Sequence, residues 1–331
     1  MSRYLIGCDW GTTGFRLRLT DSDNGAVVAA YQDQNGVAGV NRDYLKLIEN
    51  QSIEDPITHR RNYFLNRIQS AISQLEQRSA LKLSQVPVII SGMASSTIGM
   101  ELLDYASIPF SLDGSDAIIK AVSGDLDNPV YLISGVATSS DVMRGEETQL
   151  MGLYQLLKDQ TSAPDQLFIL PGTHSKHIQV CDGKIIDFKT YLTGELFEIL
   201  SKFSVLQYSV EADSTLFNAD AFESGFRDAQ AVSILNALFH VRTNQLFQKF
   251  SLEDNRSYLS GVIIGNEFLG LRNFSGRVLI AATPAVHNQY NLAMEISGQK
   301  DWIVIDTDVM ESSAFAGQSV VFNLLRQGNF S

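Results

Sequence analysis

Residues 4–19 read YLIGCDWGTTGFRLRL. An apolar run ends in Asp9, a turn of glycine and threonine follows, and from Phe15 onward apolar residues alternate with arginines. Alternation with a period of two is typical of a half-buried strand. The stretch therefore predicts a β-hairpin whose tip carries the carboxyl group of Asp9 and the hydroxyls of Thr12 and Thr13.

This hairpin tip has two possible roles. Gly11 and Gly14 allow backbone N–H groups to approach a ligand closely. Asp9 suits Mg²⁺ held through water, and Thr12 and Thr13 suit phosphate oxygens. Aspartate and threonine are also ordinary turn residues, so the tip alone predicts either a phosphate site or a plain turn.

A second stretch repeats the plan of the first. Residues 167–180 read LFILPGTHSKHIQV, a turn at 182–183 follows, and residues 184–191 alternate again. The first copy has the same order, with a third strand predicted over 26–31. Side chains differ between the copies, so it is the shared order of strands and polar tips that predicts a duplication.

The rest of the chain alternates between helical and strand patterns. Helices are predicted over 61–78, 115–122, 194–203, 221–250, 258–271, 285–296 and 312–325, and strands over 86–90, 130–133, 277–282 and 302–306. This alternation predicts an α/β fold with covered sheets. Two lobes that each begin with a β-hairpin and carry a phosphate-binding tip are typical of an enzyme that holds a nucleotide in a cleft. We place the boundary between residues 138 and 139, with the substrate on the side of 1–138 and the nucleotide on the side of 139–331.

The composition of the chain argues against several classes of function. The chain has 331 residues, of which 44% are hydrophobic and 19% charged, and its net charge is −12. That charge argues against nucleic acid and anionic membranes as partners. Cys8 and Cys181 fall in predicted strands, where they suit a core better than a metal site. No signal peptide and no apolar run of about 18 residues is visible, so we expect a cytoplasmic protein.

Two segments of the first half carry candidate chemistry. The strand over 86–90 runs into a loop of small and hydroxylated residues, which we expect to contact a sugar because ligands bind beyond strand ends; an N-cap formed by its serines is the alternative. Residues 139–152 hold three acids and an arginine, and a carboxylate there could deprotonate a hydroxyl. The alternative is a helix capped by Ser140 or Asp141. Glycine inside such a helix costs about 1 kcal/mol, so we expect Gly145 to permit a close approach.

Two segments of the second half also have two alternative interpretations each. Thr193 precedes the helix predicted to begin at Gly194. The N-terminus of that helix favours an anion, or Thr193 is an ordinary cap. Gly261 and Gly265 lie four residues apart on one helical face. They predict either close helix packing or a seat for adenine or ribose, with residues 281–284 as the opposite wall.

Together these motifs resemble the 2-dehydro-3-deoxygalactonokinase family of the sugar kinase/hsp70/actin superfamily. The resemblance rests on DWGTTGFRLRL at 9–19, DVMRGEETQL at 141–150, PGTHSKHIQV at 171–180, TGELF at 193–197 and SGVIIGNE at 260–267. It implies two RNase H-like lobes of the actin-like ATPase type, with mixed sheets and with ATP and Mg²⁺ in the cleft. It also implies transfer of the γ-phosphoryl group to the 6-hydroxyl of 2-dehydro-3-deoxy-D-galactonate. The implied partner is a small sugar acid, and a homodimer is one possible assembly.

The resemblance also assigns roles by position. It places ATP contacts at Gly11, Thr12, Thr13, Gly172, Thr173, Ser175, Lys176, Gly261, Gly265 and Glu267. From the residues themselves we expect substrate contacts at Ser91, Gly92, Met93, Ala94, Ser95, Arg16, Arg144, Thr193 and Glu195. Asp9 would orient the metal, and the catalytic base would be Asp141 or Glu146, with Asp141 slightly favoured.

The loop over 91–100 departs from the family pattern AGMxGSRxGW, because its arginine and terminal aromatic are missing. A cation suits the carboxylate of a sugar acid, and Arg16, Arg144 or Lys189 could supply it instead.

Overall fold

The computed structural model describes residues 2–158, 160–161, 163–272 and 274–328. The strands are β1 Tyr4–Trp10, β2 Phe15–Asp21, β3 Val27–Asp33, β4 Val88–Gly92, β5 Ala106–Ser107, β6 Phe110–Ser111, β7 Ile119–Val122, β8 Val130–Ile133, β9 Val136–Ala137, β10 Val142–Met143, β11 Asp165–Leu170, β12 Ser175–Cys181, β13 Lys184–Tyr191, β14 Arg277–Ile280 and β15 Trp302–Val304. The α-helices are α1 Val37–Ile48, α2 Pro56–Ser79, α3 Glu146–Leu156, α4 Thr193–Phe203, α5 Ala219–Ala231, α6 Ile234–Leu246, α7 Leu252–Glu267, α8 His287–Ser297 and α9 Thr307–Arg326. Short 3₁₀ turns cover Met93–Ser95, Val205–Ser209 and Phe268–Leu271.

The chain forms two compact units. The first comprises Met1–Ser162, Gly183–Ile186 and Asp308–Ser331, and the second Ala163–Asp182 and Asp187–Thr307. This division departs from the predicted boundary between residues 138 and 139, since α3 and most of α9 fall in the first unit.

Close packing explains why α3 and α9 belong to the first unit. A Cβ added to Gly152 of α3 would lie 1.8 Å from the Ser313 carbonyl oxygen of α9, so the two helices cross almost in backbone contact. From α9, the Gln318 amide donates at 2.8 Å to the Cys8 carbonyl of β1 and at 2.8 Å to the Ser91 hydroxyl of β4. These bonds attach α9 to the centre of the first sheet.

The first sheet has the strand order β3-β2-β1-β4-β8-β7. β1 pairs antiparallel with β2 and parallel with β4, and β4 pairs parallel with β8. Phe15, Leu17 and Leu19 are buried on one face of β2, as their alternation predicts. Helix α2 covers that face; it begins after Asp55, whose side chain accepts from the Thr58 N–H.

The second unit repeats this topology, with the strand order β15-β14-β11-β12-β13. β11 pairs antiparallel with β12 and parallel with β14, and β14 pairs parallel with β15. The two sheets therefore share a three-stranded meander followed by parallel strands, which confirms the predicted duplication of strand order.

Some predicted elements are wrong. Residues 115–122 are a turn followed by β7, because the Ser115 N–H bonds to Asp113 and Ile119–Val122 pairs with β8. The helix expected over 221–250 is two helices, since Val232 is extended between them. Helix α1 was not predicted.

Both cysteines are free thiols, with Cys8 buried in β1. None of the described helices is long and apolar enough to cross a membrane.

Candidate active site

The first candidate region is the edge of the first sheet where β1 and β4 end. These parallel strands pair in register, with Asp9 beside Ser91 and Trp10 beside Gly92. The carboxyl ends of the two strands therefore meet, which is where ligands of such sheets bind. Asp9 lies at this edge with 14% of its side chain exposed.

Asp9 is paired with a neighbour on β2. The Arg16 Nε donates to Asp9 Oδ2 at 3.0 Å, and an Arg16 terminal nitrogen bonds to the same oxygen. The predicted metal-orienting carboxylate thus has a guanidinium beside it. Among the described residues, no three His, Cys, Asp or Glu side chains gather as a metal site. A lone carboxylate still fits Mg²⁺, because this ion keeps several waters and takes its other ligands from substrate phosphates.

Helix α1 holds the β1–β2 tip in place. The N–H groups of Gly36, Val37 and Ala38 donate to the carbonyls of Thr13, Gly11 and Thr12, at 3.1, 2.9 and 3.1 Å. These bonds satisfy donors that the start of a helix otherwise leaves unpaired. The side chains of Thr12 and Thr13 are exposed, as a phosphate-binding role requires.

The close approach predicted for Gly145 is present, but Gly145 precedes its helix. It is the N-cap of α3 with φ of 109°, so the predicted caps Ser140 and Asp141 do not start this helix. A Cβ on Gly145 would lie 3.1 Å from the Gly92 Cα. The turn that carries Glu146 therefore packs against the β4 end, next to the edge that holds Asp9.

Of the two predicted bases, Glu146 lies beside this edge. Its Oε2 accepts from the Arg144 N–H at 3.0 Å, and the side chain is partly exposed. Asp141 lies in the β9–β10 turn, where its Oδ1 accepts from the Val142 N–H at 2.7 Å. Three residues separate Asp141 from Gly145, and they include the extended strand β10.

Glu147 is an acid that sequence reasoning did not single out. It is 1% exposed, and its carboxylate accepts from the Gly145 N–H at 2.7 Å and from the Thr148 hydroxyl at 2.8 Å. Burial, with a smaller contribution from neighbouring Glu146, raises its pKa to about 7. The sequence shows two adjacent acids at the start of α3, but it does not show which of the two is buried.

The predicted sugar-binding loop is largely buried, and its contact with a sugar stays a prediction. Ser91, Gly92, Ala94 and Ser95 are buried, whereas Met93 is partly exposed. The Ser95 hydroxyl donates to the Ile133 carbonyl at 2.7 Å. These small residues pack the β4 end into the unit, so only Met93 is positioned to reach a ligand.

The side chain of Arg144 is also buried. It is 8% exposed, and it donates to the Ser95 hydroxyl at 2.6 Å and to the Leu103 carbonyl at 3.0 Å. Its guanidinium carbon stacks 4.2 Å from the centre of the Tyr105 ring. Arg144 therefore joins two loops, and its contact with substrate stays a prediction.

In the second unit, the tip between β11 and β12 contacts the start of α4. The Glu195 N–H donates to the Thr173 carbonyl at 3.0 Å, and a Cβ on Gly194 would lie 2.6 Å from the Gly172 carbonyl oxygen. His174 lies 2.5 Å from the Glu195 carboxylate. Gly172 and Thr173 are exposed and available to a ligand.

The predicted ATP contacts Ser175 and Glu267 belong instead to a buried network. Glu267 is 2% exposed and accepts from Ser175 at 2.8 Å, His177 at 2.7 Å, Tyr290 at 2.9 Å and the Thr193 hydroxyl. Burial alone would raise the pKa of Glu267, but hydrogen bonds from His177, Thr193 and Ser175 hold it below its usual value. The network connects β12, α4, α7 and α8, so these residues position the tip, and their contact with ATP stays a prediction.

Lys176 and the helix glycines are also buried. Lys176 is 4% exposed and points to the face of β12 opposite Ser175. Cβ atoms on Gly261 and Gly265 would lie 2.1 and 2.7 Å from carbonyl oxygens of α5. Both glycines serve close helix packing, the simpler of the two predicted roles.

A cavity of about 280 Å³ lies on another face of α7. Apolar side chains line much of it, and the polar groups include Arg256, Ser260, Thr283 and Gln289. Gly172, Thr193 and Gly194 bring the tip of β11–β12 to the same cavity. An apolar hollow with a few polar groups next to a phosphate tip suits a nucleoside. Thr283 comes from the segment predicted as the opposite wall.

Comparison with known proteins decides the family. The family model for 2-keto-3-deoxy-galactonokinase matches residues 9–316. The chain belongs to this family. A relative from Rhizobium meliloti (strain 1021), named a probable 2-dehydro-3-deoxygalactonokinase, is 31% identical over 89% of this chain and 90% of its own length. The 2-dehydro-3-deoxygalactonokinase of Escherichia coli (strain K12) is 28% identical over 90% of this chain and 91% of its own length.

Solved structures agree in fold. A protein from Sinorhizobium meliloti described as a 2-dehydro-3-deoxygalactonokinase superimposes with a TM-score of 0.77 and 29% identity, covering 97% of both chains. An activator of 2-hydroxyisocaproyl-CoA dehydratase from Clostridium difficile superimposes with a TM-score of 0.50 and 12% identity over 98% of this chain and 96% of its own. The family is one of kinases, so the chain is a carbohydrate kinase with the actin-like ATPase fold.

Proposed function

We propose that this kinase transfers the γ-phosphoryl group of ATP to the 6-hydroxyl of 2-dehydro-3-deoxy-D-galactonate. The curated relatives named above support the substrate. The structural observation that carries the proposal is the packing of the Gly145 turn on Gly92, because it brings Glu146 to the strand edge that holds Asp9. Phosphoryl transfer needs such positioned acids more than covalent chemistry.

Each group at this edge has a role in the proposal. Asp9 and the nucleotide phosphates would hold Mg²⁺, which neutralises phosphate charge when bound. Glu146 orients the sugar hydroxyl and accepts its proton. In the first unit, Thr12 and Thr13 bind phosphate oxygens. In the second unit, the exposed tip at Gly172 and Thr173 is also suited to phosphate. The cavity on α7 receives the nucleoside.

Amide substitutions test the base. Glu146→Gln should lower kcat by about 10²–10⁴-fold, the usual contribution of a general base, while Asp141→Asn stays within about threefold of wild type. A coupled ADP-release assay measures both, and far-UV circular dichroism checks folding. If Asp141→Asn loses activity and Glu146→Gln keeps it, Asp141 is the base.

Asp9→Asn tests the metal-orienting role. We expect at least about a hundredfold loss of kcat, because asparagine lacks the negative charge with which Asp9 would hold Mg²⁺ at the transferring phosphate. Near-normal turnover in a folded Asp9→Asn variant would contradict this assignment.

A kinase of the same fold acting on another sugar acid is the second candidate. It is favoured by the burial of Arg144 and by the pairing of Arg16 with Asp9, which leave exposed Lys189 as the remaining predicted cation for a substrate carboxylate. The ADP-release assay with 2-dehydro-3-deoxygalactonate and its C4 epimer separates the two. Faster turnover of the epimer would overturn the proposed substrate.

A further inference from the structure

A surface cavity of about 320 Å³ lies in the first unit beside β2 and β3. Arg16, Arg18 and Arg78 line it together with Tyr31 and Phe315, and we call it the arginine cavity. The chain as a whole carries a net charge of −12. Three guanidinium groups on one cavity therefore form a local positive region against the overall charge.

Arg18 is the central observation, because its charge is half-buried without a direct counter-ion. In the part of the chain that the structure describes, no carboxylate lies within 4.0 Å of it. Its Nη1 donates to the Ser312 hydroxyl at 3.3 Å, and its Cζ stacks 4.2 Å from the centre of the Phe315 ring. Burial and the nearby Arg16 charge lower the pKa of Arg18, and a weaker attraction from Glu311 opposes them. A desolvated cation of this kind is stabilised by an anion from solution.

The other two arginines reach the same cavity from different positions. Arg16 and Arg18 are two residues apart on β2, so they lie on one face of the sheet. Arg78 comes from the last turn of α2 and bonds to the Ala30 carbonyl on β3. Guanidinium groups converging from two elements suit a phosphate group, whose oxygens accept paired N–H donors.

We propose that the arginine cavity binds a small anion that carries a phosphate group. This site goes beyond the proposed kinase function, since none of the groups assigned to base or nucleoside binding lines it. Arg16 also pairs with Asp9, so a bound anion competes with that carboxylate for the Arg16 guanidinium. Anion binding in the arginine cavity is thereby coupled to the ion pair between Arg16 and Asp9.

Isothermal titration of the full chain with pyrophosphate, and separately with inorganic phosphate, tests the proposal at low salt. Arg18→Gln and Arg78→Gln each remove one charge from the cavity. The matched control is Arg227→Gln, an exposed arginine of the second unit that pairs with Glu223. Arg78 is exposed, so its variant keeps the test open if Arg18→Gln does not fold.

We expect wild type and Arg227→Gln to bind equally, and each cavity variant to bind at least about tenfold more weakly at one site, because a hydrogen bond to a charged group is lost. Any pyrophosphate bound at the phosphate tips would persist in all variants as a separate site. The proposal is overturned if wild type binds neither probe, if the cavity variants bind like wild type, or if Arg227→Gln weakens binding equally.

Discussion

Substitution of Glu267 by glutamine should destabilise the second unit. Each carboxylate oxygen accepts at least two hydrogen bonds, and glutamine would place an amide donor where Thr193 and Tyr290 already donate. A hydrogen bond to a charged group contributes about 1.5–3 kcal/mol, and two of these bonds lose their charged acceptor. The expected loss in the free energy of unfolding is therefore about 3 kcal/mol or more.

Urea unfolding at pH 7, followed by far-UV circular dichroism and tryptophan fluorescence, measures this loss. Trp302 in β15 reports on the second unit. The matched control is Glu198→Gln, which removes an exposed carboxylate paired with Lys202 four residues along α4. That pair contributes about 0.2–0.5 kcal/mol, so the control should unfold close to wild type. If Glu267→Gln is as stable as the control, the network does not hold the tip as described.

The pH dependence supplies a further check on the same network. The folded-state pKa of Glu267 lies below its ordinary value of 4.5, so the carboxylate binds protons more readily in the unfolded chain. Its contribution is therefore complete above pH 4.5 and is lost as the pH falls through the folded-state pKa. The stability difference between wild type and Glu267→Gln should shrink in acid. A difference that stays constant from pH 7 to pH 3 would refute this reasoning.

Two further variants test the turn before α3. The pKa of Glu147 is raised to about 7, so its stabilising contribution is complete below pH 4.5 and is lost as the pH rises through 7. Glu147→Gln should therefore gain stability relative to wild type by up to about 3 kcal/mol between pH 5 and pH 8 in urea unfolding; no change with pH would contradict the burial of this carboxyl. Gly145→Ala should lose about 1–3 kcal/mol, because its φ of 109° is strained for alanine and Gly92 lies close. A Cβ on Gly39 in α1 would meet only an ordinary contact, with an Arg42 terminal nitrogen at 3.8 Å, so Gly39→Ala should gain about 0.5–1 kcal/mol in the same measurement. Equal effects at the two positions would refute the strain argument.

Local patterns were sufficient for the strands of the two hairpin-led meanders, β1–β3 and β11–β13, and for the duplication. The alternation after Phe15 and the repeated order of strand, polar tip and strand depend only on residues close in sequence, and both are present in the two sheets. Residues 115–122 were misread because their short apolar run fits a helix or a strand, and pairing with β8, which lies several residues further on, decides between them.

Site residues were harder to predict because long-range partners decide their roles. The sequence predicts a ligand contact at Glu267. The hydrogen bond from His177, 90 residues earlier, is a long-range contact that the local sequence does not show. Gly261 could have faced a ligand or a helix, and only the position of α5 selects the helix. Arg144 carried the expected charge, but the burial that directs it to Ser95 has no local sequence signal.

The attachment of α9 to β1 and β4 has a consequence for synthesis of the chain. Gln318 supplies the amide that bonds to Cys8 and Ser91, and it is made only after nearly all of the 331 residues. The second unit is drawn from residues 163–307 and is complete before then. On the ribosome, the unit that begins first therefore finishes after the second unit, with its central strands left without α9 until Thr307–Arg326 is synthesised.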